Sequence, residues 1–168
     1  MMNIGIAGAG LIGRLMAWRL LRCGHSVTLF DRDPAAGEGS AARVAAAMLA
    51  PFSELLHSEQ VIVGWGLDSL ERWPLLLGEL AGDAGRSVDF QRRGSVVVAH
   101  RADRPLLSQF ASSLEQRLAG SPLLSEVCPL DVAGLSDLEP ELTDAFDRGI
   151  WLKAEGCLDN WGLLDALA

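Results

Sequence analysis

The stretch NIGIAGAGLIGRLMAWRLLRCGHSVTLFD, from Asn3 to Asp31, most narrows the folds open to this chain. Asn3 to Ala7 is an apolar run of strand length that enters Gly8-Ala9-Gly10-Leu11-Ile12-Gly13 without a break. From about Leu11 to Cys23 the residues Leu11, Leu15, Trp18 and Leu21 or Arg22 recur at helical spacing, and Gly24 stands where a C′ glycine ends a helix. Val27 to Phe30 is a second buried strand with Asp31 at its end. Strands joined by a helical crossover pair in parallel, so the stretch predicts a β-α-β unit.

Each glycine has a mechanical reason. Gly8 permits the tight turn, Gly10 lets a phosphate approach the backbone, and Gly13 allows the helix to pack closely on the strand. The helix N-terminus offers free N–H groups and a positive dipole end to a pyrophosphate. Asp31, 18 residues after Gly13, is placed to accept hydrogen bonds from a ribose hydroxyl pair. The plainer alternative is a glycine-tolerant turn with Asp31 as a strand-end cap. The combination of strand, glycine motif, helix and acid predicts dinucleotide binding.

The residues that follow bear on which dinucleotide. An NAD-binding domain would continue with another helix and a third parallel strand, and "VIVGW" has helical flanks instead. The polar loop "RDPAAGEG" leads to Ser40, a candidate cap for an alanine-rich helix running towards Pro51. A second helix N-terminus beside the first, followed by small residues that admit a flavin ring, suits FAD.

Further along, residues from about His57 to Leu80 predict a helix carrying Trp65 and Trp73 as core side chains. "VDFQRRGSVVVA" alternates apolar and polar residues around Gly94 as antiparallel strands do. "DRPLLSQFASSLEQRLAG" is an amphipathic helix ending at Gly120, "GLSDLEPELTD" a turn-rich connection, and "GIWLKAEG" a strand. "NWGLLDALA" begins like a helix capped by Asp159 or Asn160 and stops without a terminating signal, as a truncated product would. The pattern changes near Gly85.

The 168 residues include 14 Lys or Arg and 22 Asp or Glu, a net charge of -8, which opposes nonspecific nucleic-acid binding. No apolar run reaches the roughly 18 to 20 residues that span a bilayer, and the start lacks the basic and apolar regions of a signal peptide. Cys23, Cys128 and Cys157 form no CxxC pair, as expected of free thiols in a reducing cytoplasm. His25, His57 and His100 share no metal-ligand spacing, so no metal is expected.

"IAGAGLIGRLMAWRL", "VTLFDRD" and "SAARVAAAMLAPFSE" together resemble the FAD-dependent D-amino acid oxidase superfamily, nearest to the glycine oxidases of thiamine biosynthesis. "RRGSVVVA", "LSDLEPEL" and "KAEGCLDNWGLLDAL" follow in that family's order and spacing. The resemblance implies an α/β fold, a Rossmann-like FAD-binding domain with an inserted antiparallel α+β substrate domain, both truncated. Residues 1–86 would begin the FAD-binding domain, 87–150 the substrate domain, and 151–168 the return towards the first.

Carried over by position, Gly8, Gly10, Gly13, Asp31 and Arg32 would hold the adenosine and pyrophosphate of FAD. Ser40, Ala46 and Ala47 would lie beside the phosphate chain and ring, with Met48 facing the substrate and Glu54 near the cavity. One departure stands out: the family usually has glycine before the methionine, and this chain has Ala47.

The implied reaction takes hydride from the α-carbon of a small amino acid such as glycine, forming an imine, while oxygen reoxidises the flavin and yields hydrogen peroxide. The catalytic residues are unassigned, and the carboxylate-binding arginine belongs to a part of the family absent from this chain, so these residues alone should be inactive and bind FAD weakly. A D-amino acid or sarcosine-type dehydrogenase, or a non-catalytic dinucleotide-binding fragment, would carry the same motifs. The expected partners are a small amino acid or amine and oxygen; association of identical subunits is left open.

Overall fold

The computed structural model describes residues 1–168, the side chain of residue 60 excepted. In chain order its elements are β1 (Asn3–Ala7), α1 (Leu11–Arg22), β2 (Ser26–Phe30), α2 (Ala41–Val44), β3 (Met48–Leu49), α3 (Gln60–Ala84), β4 (Phe90–Gln91), β5 (Ser95–Val98), α4 (Arg104–Arg117), β6 (Val127–Leu130), α5 (Val132–Leu138), β7 (Gly149–Leu152), β8 (Gly156–Leu158) and α6 (Asn160–Ala166). They form two compact units, the first of residues 1–48, 72–90 and 157–168, the second of residues 49–71 and 91–156. The division proposed from the sequence placed 49–71 with the first domain and 151–156 with the return segment. In the structure both stretches pack with the second unit, because Phe52, Leu55 and Val63 share a core with Leu114, Ile150, Leu152 and Ala154.

In the first unit β1 and β2 pair in parallel, from Asn3↔Ser26 to Ala7↔Phe30, with α1 as the crossover. The ladder runs on into the glycine loop, where the Gly8 N–H donates to the Phe30 carbonyl at 2.8 Å. Gly24 takes the left-handed position past the end of α1 at φ 80°. Trp18 of α1, Leu77 and Leu80 of α3, Val88 and Leu163 of α6 form the core. The Trp18 indole N–H is satisfied by Asp83 at 2.9 Å, and Arg22 meets the same carboxylate at 2.8 Å. Trp73 packs on this core, but Trp65 is 63% exposed and does not take the buried place expected of it.

The second unit is built on an antiparallel sheet of order β5-β7-β6, with Ser95↔Leu152 and Val127↔Leu152 setting the two registers. α4 contributes Leu107 and Leu114 to its core. Glu155 is fully buried there, and its carboxylate accepts the Ser53 N–H at 2.7 Å, the Ser53 hydroxyl at 3.1 Å and the Ser95 hydroxyl. A buried carboxylate is tolerable only with such donors.

Strands flank Gly94 as expected, and they take separate partners: β4 joins the short ladder β3-β8-β4, and β5 pairs antiparallel with β7. Gly94 lies at φ 82°, and its N–H donates to the Glu155 carbonyl at 2.9 Å, where the chain passes from one ladder to the other. Two elements differ from expectation. The turn-rich connection contains α5, capped by the Asp131 carboxylate on the Gly134 N–H at 2.9 Å. The alanine-rich helix is a single turn, α2, after which the chain is extended. No helix among the described residues is long and apolar enough to cross a membrane.

Replacing Glu155 by Ala should lower the unfolding free energy by about 2 kcal/mol in urea denaturation, because the Ser53 N–H is left without an acceptor. Glu155→Gln should cost less, since its amide oxygen still takes that N–H and its nitrogen donates to the two hydroxyls.

Candidate dinucleotide site

A cavity of about 600 Å³ opens in the first unit, and its walls include Gly8, Gly10, Gly13, Asp31, Arg32 and Ser40. The structure therefore brings together six residues that the sequence singled out. Gly8 turns the chain at φ 105°, and a Cβ on Gly13 would overlap the Gly8 carbonyl oxygen, so both glycines are sterically required. The N–H groups of Gly10, Leu11, Ile12 and Gly13 find no backbone acceptor among the described residues. They are the free donors of the α1 N-terminus.

Asp31, at the end of β2, accepts the Asp33 N–H at 3.0 Å and the Ala9 N–H at 2.5 Å. These two backbone donors, Asp33 first, hold its carboxyl below the ordinary 3.8. The strand-end cap and the ribose acceptor are thus compatible roles, because a carboxylate accepts about four hydrogen bonds and the backbone donors of Asp33, Ala9 and Arg32 leave acceptor capacity over. Arg32 is exposed, with its guanidinium 4.0 Å from Asp33.

Ser40 caps α2 through an Oγ that accepts the Ala42 N–H at 3.3 Å, and this Oγ lies 3.8 Å from where a Gly10 Cβ would stand. The second turn therefore faces the first across the cavity. α2 spans four residues, however, and a single turn sums too few peptide dipoles to act as the second helix terminus expected there.

Ala46, Ala47 and Met48 lie outside the cavity wall; Ala46 is exposed and Met48 is 54% exposed. Ala47 is the one non-glycine residue at positive φ among those described, at 57°. The glycine that the family favours at this position would meet no strain there, whereas the alanine Cβ costs about 1–2 kcal/mol.

Two side chains that the motif reading passed over shape this region. Arg14 is buried, and its guanidinium donates to the carbonyls of Ala9 at 2.6 Å, Ala35 at 2.5 Å and Leu164 at 3.1 Å. A signal existed: Arg14 sits one turn before Trp18, on the apolar stripe of the helix. Asn160 donates through Nδ2 to the carbonyls of Ala42 and, at 2.8 Å, Ala45. The Ala47 carbonyl in turn accepts the Leu158 N–H at 3.2 Å. The Ala42 and Ala45 carbonyls are ones that a longer α2 would have used, whereas that of Ala47 would have met Pro51, which has no N–H. Nothing in the periodicity of "NWGLLDAL" marks Asn160 for that role.

Residues 3–168 match the model of the family described as DAO, FAD dependent oxidoreductase. The chain is 35% identical, over 99% of its own length and 45% of the other's, to a Rhizobium etli protein provisionally named as the thiamine biosynthesis oxidoreductase ThiO. Its fold is similar to that of glycine oxidase from Geobacillus kaustophilus, with a TM-score of 0.78 at 26% identity, covering 98% of this chain and 42% of that one. It also resembles L-alpha-glycerophosphate oxidase from Mycoplasma pneumoniae, a structure with FAD bound, with a TM-score of 0.63 at 16% identity, covering 100% and 42%. The chain spans less than half the length of these relatives.

Ala47→Gly should raise the unfolding free energy by about 0.5–1 kcal/mol in thermal or urea denaturation, the relief of strain less the added freedom of the unfolded chain. Asp31 should titrate below 3.8 by carboxyl NMR. Because its folded value is depressed, its contribution to stability is complete above the unfolded value and is lost as the pH falls through the folded one. Asp31→Asn should remove that part of the acid dependence.

Proposed function

Because the chain belongs to the DAO family of FAD dependent oxidoreductases, we propose that the full-length protein is an FAD-dependent oxidase of glycine or a similarly small amino acid. Its products would be the imine and hydrogen peroxide, with the oxidised amino acid feeding the thiazole of thiamine. The observation that carries the cofactor assignment is the cavity walled by unpaired α1 N–H groups and Asp31. The likeness to glycine oxidase and to ThiO supports the substrate class.

The residues present fit the adenosine diphosphate half of FAD. Gly8, Gly10 and Gly13 leave the backbone bare where phosphates approach, and the α1 N–H groups supply donors. Asp31 would offer its remaining acceptor capacity to the ribose, and Arg32, exposed beside Asp33, would lie near the adenosine. Ser40 adds a hydroxyl facing Gly10. Ala46 and Ala47 would flank the ring, with Met48 towards the substrate and the second unit continuing as the inserted substrate domain. Bound FAD supplies the acceptor for hydride leaving the substrate α-carbon.

Arg43 and Arg92 are not offered as the substrate-carboxylate ligand. Arg43 is held by the Ala36 carbonyl at 2.7 Å and Asp165 at 2.5 Å, and Arg92 by Glu71 at 2.5 Å. We infer that residues 1–168 alone bind FAD weakly and do not turn over substrate.

The test is oxygen uptake by the purified full-length protein. Glycine should drive oxygen consumption matched one-to-one by peroxide, from a protein with a flavin absorption spectrum. Dye reduction without oxygen uptake would make it a dehydrogenase, and a colourless protein that FAD does not restore would remove the reading. Gly13→Val should purify without flavin, because its side chain fills the turn that the Gly8 carbonyl occupies.

A further inference from the structure

We propose that Arg14 is the positioning residue of the dinucleotide site, setting both loops of the cavity and supplying a buried positive charge for a diphosphate. This rests on the dinucleotide reading above. Arg14 is 3% exposed, and among the described residues no carboxylate lies within ion-pair distance of it. Three carbonyl oxygens satisfy its hydrogen bonds, but they bring dipoles and no net charge. Buried cations ordinarily take an acid partner. Here the cation stands behind a cavity with an anion-binding wall.

Its position is defined by Gly37, which lines that cavity: a Cβ built there would lie 2.8 Å from Arg14 Nη2. The guanidinium therefore touches one residue of that wall, while Arg14 itself lines a second cavity with Trp18 and Asp83; its burial leaves little water to screen it from an anion bound nearby. It also sets the direction of the amides. In a planar trans peptide the carbonyl of one residue and the N–H of the next point opposite ways. Arg14 draws the Ala9 carbonyl to itself, so the Gly10 N–H points away from it, and this N–H has no backbone acceptor. The bond to the Ala35 carbonyl ties down the second loop beside Pro34 and Gly37, which line the cavity. One side chain thus withdraws the Ala9 carbonyl from the cavity and turns the Gly10 N–H the other way.

The full-length protein, stripped of flavin, tests this with Arg14→Met and Arg14→Lys. FAD affinity is read by flavin fluorescence, ADP and adenosine by competition, and melting temperature without ligand. Arg14→Met should weaken FAD and ADP by about tenfold or more, leave adenosine within about twofold, and flatten the dependence of ADP binding on KCl. Arg14→Lys keeps the charge but cannot reach three carbonyls; ADP should weaken while keeping the salt dependence of the wild type. Unchanged ADP affinity in Arg14→Met, or equal losses for ADP and adenosine, would overturn the proposal. Should Arg14→Met fail to fold, Arg14→Lys decides, and equal losses for both ligands overturn it there too. A wild type that binds neither FAD nor ADP removes the dinucleotide reading itself, an outcome distinct from either variant result.

Discussion

The Arg14 guanidinium joins three carbonyls that the chain supplies from the glycine loop, from the loop after β2 and from α6. A planar fork with five donors can do this where a lysine could not. Arg43 repeats the device one residue along, tying the Ala36 carbonyl to Asp165 of α6. The loop from Arg32 to Gly39 is mostly exposed, and besides its own turns and the Asp31 bond to the Asp33 N–H these two arginines tie it to the rest of the unit. Gly37 answers the same constraint: it lies at φ 65°, against the Arg14 side chain, where a β-carbon would collide. The front wall of the cavity therefore depends on a helix more than a hundred residues away in sequence.

The segment from Ala41 to Met48 shows the opposite case, in which local preference loses. Alanine is the best helix former, yet α2 ends after Val44. Asn160 removes the Ala42 and Ala45 carbonyls from the helical ladder, and the Leu158 N–H takes that of Ala47. The chain is then carried through a left-handed residue into β3. A glycine would make that turn without strain. This chain keeps a β-carbon there, and its strain is offset by the surrounding hydrogen bonds.

In the second unit Glu155 has the role that Arg14 has in the first. Its carboxylate holds the Ser53 turn and the Ser95 strand, and its carbonyl fixes the adjacent Gly94, so Glu155, in the turn after β7, orders two separate stretches. Both units thus centre a buried charged group on hydrogen bonds to neutral partners. In the second the group is enclosed by its own donors. In the first it lies behind a cavity whose free N–H groups face a prospective anion.

The parallel pair β1 and β2, the α1 crossover, the end of α1 at Gly24 and the meeting of Gly8, Gly10, Gly13 and Asp31 were all legible in the amino-acid order. They follow from periodicity and from backbone geometry within some thirty residues, where chain connectivity leaves few alternatives. The DAO assignment was legible for the same reason, as motifs with fixed spacing. The length of α2, the partners of β4 and β5, the exposure of Trp65, and the parts played by Arg14, Asn160 and Glu155 were not. Each depends on which distant carbonyl or N–H group a side chain meets, and no local pattern encodes that encounter. The sequence by itself determined that a glycine-turned β-α-β unit would open a helix end with free N–H groups. Tertiary structure alone decided how the cavity wall is held, because hydrogen bonds to buried backbone groups are settled only when remote segments pack together.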